Sequence, residues 1–150
     1  MATPRSPLHR RLGFTLIEVL IVIVVIAILA MLVIPRAMAA RRGANEAQLR
    51  GNLKQLRDAI EHFEATTAAW PPALSDVMAA GGDAISGNFD GRGGWVDRTS
   101  YDGPYLVTGD DQLPTDPFTG AADWNYENAT GDIHSSSSLA GLDGSTYSSW

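Results

Sequence analysis

Apolar residues are distributed along this chain in three regimes. From Phe14 to Ile34 they are continuous, broken only by Thr15 and Glu18. A helix rises 1.5 Å per residue, so a run of this length spans roughly 30 Å, one hydrocarbon thickness of a bilayer. Backbone groups in lipid must satisfy one another, so the run predicts a membrane helix. From Leu49 the pattern becomes periodic: Leu49, Leu53, Leu56, Ile60 and Phe63 recur at helical spacing, which predicts an amphipathic helix with one buried face. Arg50, Lys54, Arg57, Asp58, Glu61 and Glu64 fill the other face, with Arg57 and Glu61 placed for an i,i+4 pair.

The third regime is short and broken. Trp70-Pro71-Pro72 stops the helix, because proline cannot continue it. Ala73–Ala80 reads as a short helix. Glycines 81, 82, 87, 91, 93 and 94 mark a loop. Tyr105-Leu106-Val107, Trp124–Glu127 and Asp132–Ser136 read as short strands. Asn128-Ala129-Thr130-Gly131 turns the last two into a hairpin. The expectation is an α+β fold: a long N-terminal helix, half transmembrane and half amphipathic, packed on a small antiparallel sheet of three or four strands. Pro35 removes a backbone donor and crowds the carbonyl of Met31. With Arg36 and an alanine-rich stretch following, a kinked continuation is expected there rather than a helix end.

Charge sharpens this division. Residues 1–64 carry nine Arg/Lys and five Asp/Glu, whereas residues 65–150 carry two Arg and twelve Asp/Glu. An acidic C-terminal half argues against nucleic-acid binding, since phosphate contacts need clustered Lys and Arg. Arg5, His9, Arg10 and Arg11 precede the apolar run. Short basic flanks stay cytoplasmic, so the N-terminus is expected inside and the C-terminal domain outside. Cysteine is absent, which excludes disulfides, thiolate metal sites and a cysteine nucleophile. Something else must hold the loops of an extracytoplasmic domain.

Two readings of the apolar run compete. Ala37-Met38-Ala39 has the form of a signal-peptidase site, which would release a soluble domain. A signal peptide's apolar core is about 7–15 residues, shorter than this run, and holds no carboxylate. An ionisable group inside a membrane segment costs roughly 2.5–3.5 kcal/mol on insertion scales and marks function by default. Glu18 is that group, with snorkelling to the headgroups as the alternative.

Gly13-Phe14-Thr15-Leu16-Ile17-Glu18, after a basic leader and before a long apolar helix ending at Pro35, resembles the N-terminus of type IV pilins and type II secretion pseudopilins. The resemblance implies that prepilin peptidase cuts between Gly13 and Phe14 and that Phe14 becomes N-methylated. It implies a homo-oligomeric fibre in which Glu18 pairs with a neighbouring subunit's new amine. Its other implied partners are an inner-membrane assembly platform and minor pseudopilins. The implied organisation is a cytoplasmic leader (1–13), a transmembrane helix (14–35), an amphipathic helix (36–70) and a C-terminal loop and sheet region (71–150). Gly103-Pro104-Tyr105-Leu106, Leu113-Pro114-Thr115-Asp116-Pro117, Trp124-x-Tyr126 and Gly131-Asp132-Ile133 resemble the C-terminal half of the major pseudopilin group. The expected role is a structural subunit of a type II secretion pseudopilus, held in the bacterial inner membrane with its domain in the periplasm. A type IV pilus subunit for adhesion, motility or DNA uptake is the alternative.

That group also binds Ca²⁺ in a C-terminal loop, and Ser138–Ser145 resembles its start. Asp143 and Ser145 are the implied side-chain ligands, with Leu139 or Leu142 lending a carbonyl. The tail Tyr147-Ser148-Ser149-Trp150 offers no further acid, so a solvated turn competes with a metal site. Catalysis has no motif: neither H-E-x-x-H nor G-x-S-x-G occurs, and His9, His62 and His134 are scattered.

Overall fold

The computed structural model describes residues 14–150; the leader and Gly13 lie outside the described residues. Helix α1 runs Leu16–Thr67, 52 residues, and passes through Pro35 without interruption. Gly43 and Gly51 lie within it with open space around each, so neither is needed for a close approach. By contact the chain divides into two compact units, Met1–Ala40 and Arg41–Trp150.

In the first unit the described part is the apolar half of α1. It is long and apolar enough to cross a membrane, and among the described residues none of its apolar window is buried. The second unit forms around the other half of α1. Leu49, Leu53, Leu56, Ile60 and Phe63 are all at most 1% exposed, as their spacing predicts. The first four pack with Val77, Leu106, Trp124, Ile133 and Tyr147. Phe63 joins a second cluster with Ala69, Ala79, Ile85, Val96 and Tyr101.

The sheet is smaller than expected. Strands β1 (Asn125–Glu127) and β2 (Asp132–His134) pair antiparallel, with Tyr126 opposite Ile133. Gly131 adopts φ 74° in the connecting turn, and a Cβ there would sit 2.4 Å from the Trp70 ring. Both the left-handed backbone and the close ring demand glycine. Outside this hairpin only isolated bridges occur among the described residues, Phe89 with Trp95 and Ala140 with Thr146.

Tyr105–Val107 is not a strand. The N–H groups of Tyr105 and Leu106 both donate to the Val77 carbonyl, at 2.9 and 3.1 Å. That carbonyl lies in the short 3₁₀ helix Leu74–Met78, so the segment is tied to a helix end and has no ladder to join. The predicted helix over 73–80 takes this tighter form. Asp76 closes it: its carboxylate accepts from the Ala73 N–H (2.9 Å), the Ser86 N–H (2.9 Å) and the Ser86 hydroxyl (2.7 Å). One buried acid thereby pins both the short helix and the glycine-rich loop.

Side-chain donors also fix the hairpin to the helix end. The Tyr126 hydroxyl donates to the Pro71 carbonyl at 2.8 Å, and the Asn128 amide to the Pro72 carbonyl at 3.1 Å. Trp124 Nε1 donates to the Pro114 carbonyl at 2.7 Å. The Tyr126 and Trp124 bonds use the polar handles of large rings whose bodies pack in or against the core.

Candidate functional site

At the start of α1, Thr15 and Glu18 cap the helix reciprocally. The Glu18 N–H donates to Thr15 Oγ1 at 3.3 Å, and the Thr15 N–H donates to Glu18 Oε2 at 3.4 Å. The first N–H groups of a helix have no intrahelical partner, and a Thr-x-x-Glu spacing satisfies two of them. The capping pattern is visible in Thr15-Leu16-Ile17-Glu18 itself. The carboxylate therefore has a local role in this chain. It sits in the first turn of α1, where the helix dipole also favours an anion. Phe14 is 82% exposed and Leu16 85%, leaving the helix start open to whatever lies outside the chain.

The C-terminal loop is the second predicted site. Ser145 donates to Asp143 Oδ1 from its N–H at 3.0 Å and from its hydroxyl at 2.6 Å. Asp143 Oδ2 lies 3.4 Å from Arg50 Nη2. The Ser145 hydrogen bonds, and secondarily the Arg50 charge, hold the Asp143 carboxyl below the usual carboxylate range. The Leu139 carbonyl accepts from the Tyr147 N–H at 3.0 Å.

This donor set does not fit Ca²⁺. The ion takes six to eight oxygens, several of them anionic. Here a single carboxylate is present in the loop, and a guanidinium already stands against one of its oxygens. Among the described residues no three His, Cys, Asp or Glu side chains gather to hold a metal. A groove of about 590 Å³ opens beside the loop, lined by Arg50, Lys54, Arg57, Asp58, Asp143 and Trp150 among others. Its charges are largely spent on each other: Lys54 Nζ lies 2.8 Å from Asp58 Oδ2.

Four helix residues meet this tail: Arg42 and Glu46, which the sequence pattern does not single out, and Arg50 and Arg57, expected only on the polar face. Glu46 Oε1 accepts from the Leu142 N–H at 2.7 Å and the Tyr147 hydroxyl at 2.8 Å. Arg42 donates to the Ala140 carbonyl. Arg50 also lies over the Trp150 ring, 4.2 Å from its centroid. Arg57 donates to the Ile133 carbonyl at 2.8 Å and to the Trp150 carbonyl, replacing the expected pair with Glu61. The available signal was the spacing of 42, 46, 50 and 57, one helix flank beside the leucine stripe. Nothing in the pattern said what that flank faces.

Residues 8–34 match the family described as the prokaryotic N-terminal methylation motif. Over 67 residues the chain is 36% identical to the type II secretion system core protein G of Pseudomonas aeruginosa, covering 45% of this chain and 47% of that protein. The Klebsiella pneumoniae protein of the same name is 29% identical over 72 residues, 48% of this chain and 51% of its own. The type IV wide pilus major component PilA4 of Thermus thermophilus is 50% identical over 52 residues, 35% of this chain and 37% of its own. The chain spans about half the length, or less, of these relatives. No solved structure matches it. A methylation motif leading into an apolar helix, on an α+β domain, thus makes this chain a relative in sequence of type II secretion core protein G and, over a shorter stretch, of a type IV pilus component.

Proposed function

We propose that this chain is a structural subunit of a type II secretion pseudopilus, not a catalyst. Residues 1–13 serve as a cytoplasmic leader that prepilin peptidase removes between Gly13 and Phe14, and Phe14 is then N-methylated. Residues 14–35 anchor the subunit in the bacterial inner membrane with the C-terminal domain in the periplasm. From there the assembly platform draws it into a homo-oligomeric fibre alongside minor pseudopilins. The observation that carries this reading is the apolar half of α1. It is helical from Leu16 on, includes most of the residues matched by the methylation motif, and among the described residues none of its apolar window is buried. Such a surface requires lipid first and neighbouring helices afterwards.

The proposed chemistry of assembly follows from charge. Cleavage removes Arg5, Arg10 and Arg11 and creates an α-amine that is mostly cationic at neutral pH. Glu18 then exchanges its capping bond to the Thr15 amide for an amine on an adjoining copy. An opposite charge in a poor dielectric offsets the cost of burying either group, which makes the pair a register key. Pro35 leaves one carbonyl without its helical donor and so eases bending where subunits pack.

A type IV pilus subunit is the second reading, favoured by the 50% identity to PilA4. Intact mass and N-terminal sequence of the cellular protein test the shared core of both readings. A methylated Phe14 terminus is expected; a terminus at Ala40 would overturn both in favour of a secreted soluble domain. Deletion then separates them, by loss of exoprotein export or loss of surface pili.

A further inference from the structure

The C-terminal segment has no disulfide and no fitting metal site, yet it is ordered against α1. Its fastening runs through the helix flank 42–57. Glu46 is only 7% exposed, and one oxygen of its carboxylate accepts from both Leu142 and Tyr147. Arg42 Nε stands 4.0 Å from that same oxygen while its guanidinium holds the Ala140 carbonyl. About one and three turns past Glu46, Arg50 faces Asp143 and covers the Trp150 ring, and Arg57 holds the Trp150 carbonyl. The tail answers with its own packing. Tyr147 is fully buried, stacks on Phe118 at 4.0 Å and meets Trp150 edge-on at 4.9 Å.

We propose that residues 138–150 are closed onto the domain by a metal-free clasp, with Glu46 of α1 as its central acceptor and Arg42, Arg50 and Arg57 as its cationic donors. The chemistry is that of a calcium loop with guanidinium groups standing in for the cation. A cation site gathers carbonyls and carboxylates around a positive centre. Here guanidinium groups take the carbonyls of Ala140 and Trp150 and the carboxylate of Asp143, and a buried carboxylate takes the Leu142 amide. Hydrogen bonds with one ionised partner are the stronger kind. Arginine suits the task because its planar fork presents several donors and stacks on an aromatic face. The inference goes beyond the fibre reading and does not depend on it, since it concerns only the unit 41–150.

The test uses the full-length chain in detergent micelles. Thermal unfolding followed by tryptophan fluorescence is compared in calcium chloride and in EDTA. The two midpoints are expected to coincide. A calcium-dependent rise above about 4 °C, the size produced by a bound ligand worth a fraction of domain stability, would overturn the proposal. Glu46→Ala is expected to speed amide exchange at Leu142, and chymotrypsin cleavage within 138–150, by about tenfold. The rest of the domain should keep its protection. Glu46→Gln, which retains an acceptor oxygen, should recover part of the loss. Unchanged exchange and cleavage in Glu46→Ala would reject the clasp. If that variant does not fold, Tyr147→Phe and Arg50→Gln decide: faster cleavage of the tail in both supports the clasp, and wild-type cleavage in both rejects it.

Discussion

The two halves of α1 use one secondary structure for opposite ends. Between 16 and 34 every large apolar side chain is about half exposed or more. Between 49 and 63 the apolar stripe is sealed inside the domain. The first half satisfies its backbone internally and leaves its side chains to an external apolar phase. The second is amphipathic and finds its apolar partner within the chain. Continuous hydrophobicity therefore signals a surface waiting for lipid or another copy, and periodic hydrophobicity signals a core. Substitutions in the two halves should accordingly fail in different assays.

The largest effect is expected at Glu18. Glu18→Ala should nearly abolish incorporation into fibres, scored by shearing and immunoblot, while the unfolding of the 41–150 unit stays unchanged. Incorporation at the wild-type level would end the pairing proposal. Next in size is the core. Phe63→Ala should cost about 3–5 kcal/mol of domain stability in urea titration, whereas Val24→Ala in the apolar half should leave the same transition in place. Equal losses from both would erase the distinction between the halves.

The pH dependence sharpens the comparison further, because all four tyrosines lie beyond the apolar half. Burial pushes the Tyr101 phenol up to about 12, and burial likewise raises Tyr126. Below about pH 10, phenols are neutral in folded and unfolded chains alike, and they add no slope. Between about 10 and 12 the unfolded chain releases protons that the folded chain retains, so stability falls as pH rises. Tyr101→Phe should flatten that decline, read from unfolding midpoints across the window. Tyr126→Phe should flatten the decline as well, and at neutral pH it loses the bond to Pro71, about 0.5–1.5 kcal/mol. Smallest of all, Lys54→Gln breaks an exposed pair with Asp58 and should leave the midpoint within error.

The elements most legible in the sequence were those set by local periodicity. The stripe Leu49 to Phe63 and the 128–131 turn follow from helical spacing and a glycine with φ 74°; α1 ends at Thr67, ahead of the expected stop at Trp70-Pro71-Pro72, with Ala68 in a left-handed turn at φ 62°. Tyr105–Val107 misled because its apolar, aromatic composition suits a strand; a partner for its amides was supplied instead by the Val77 carbonyl. Asp143 and Ser145 were legible as a polar turn, but the engagement of Asp143 with Arg50 was not. Arg50 lies 93 residues away in sequence, beyond any local pattern.

Composition and periodicity by themselves determined a membrane-length apolar helix, an amphipathic continuation and an acidic, cysteine-free domain. These are properties of single segments, fixed by backbone sterics and by the side chains' preference for or against water. Only the tertiary structure decided how small the sheet is, that Asp76 ties a short helix to a glycine-rich loop, and that Glu46 meets Leu142 and Tyr147. Those outcomes depend on which distant polar groups burial brings within hydrogen-bond reach, and a buried donor or acceptor takes whichever partner the packed core presents.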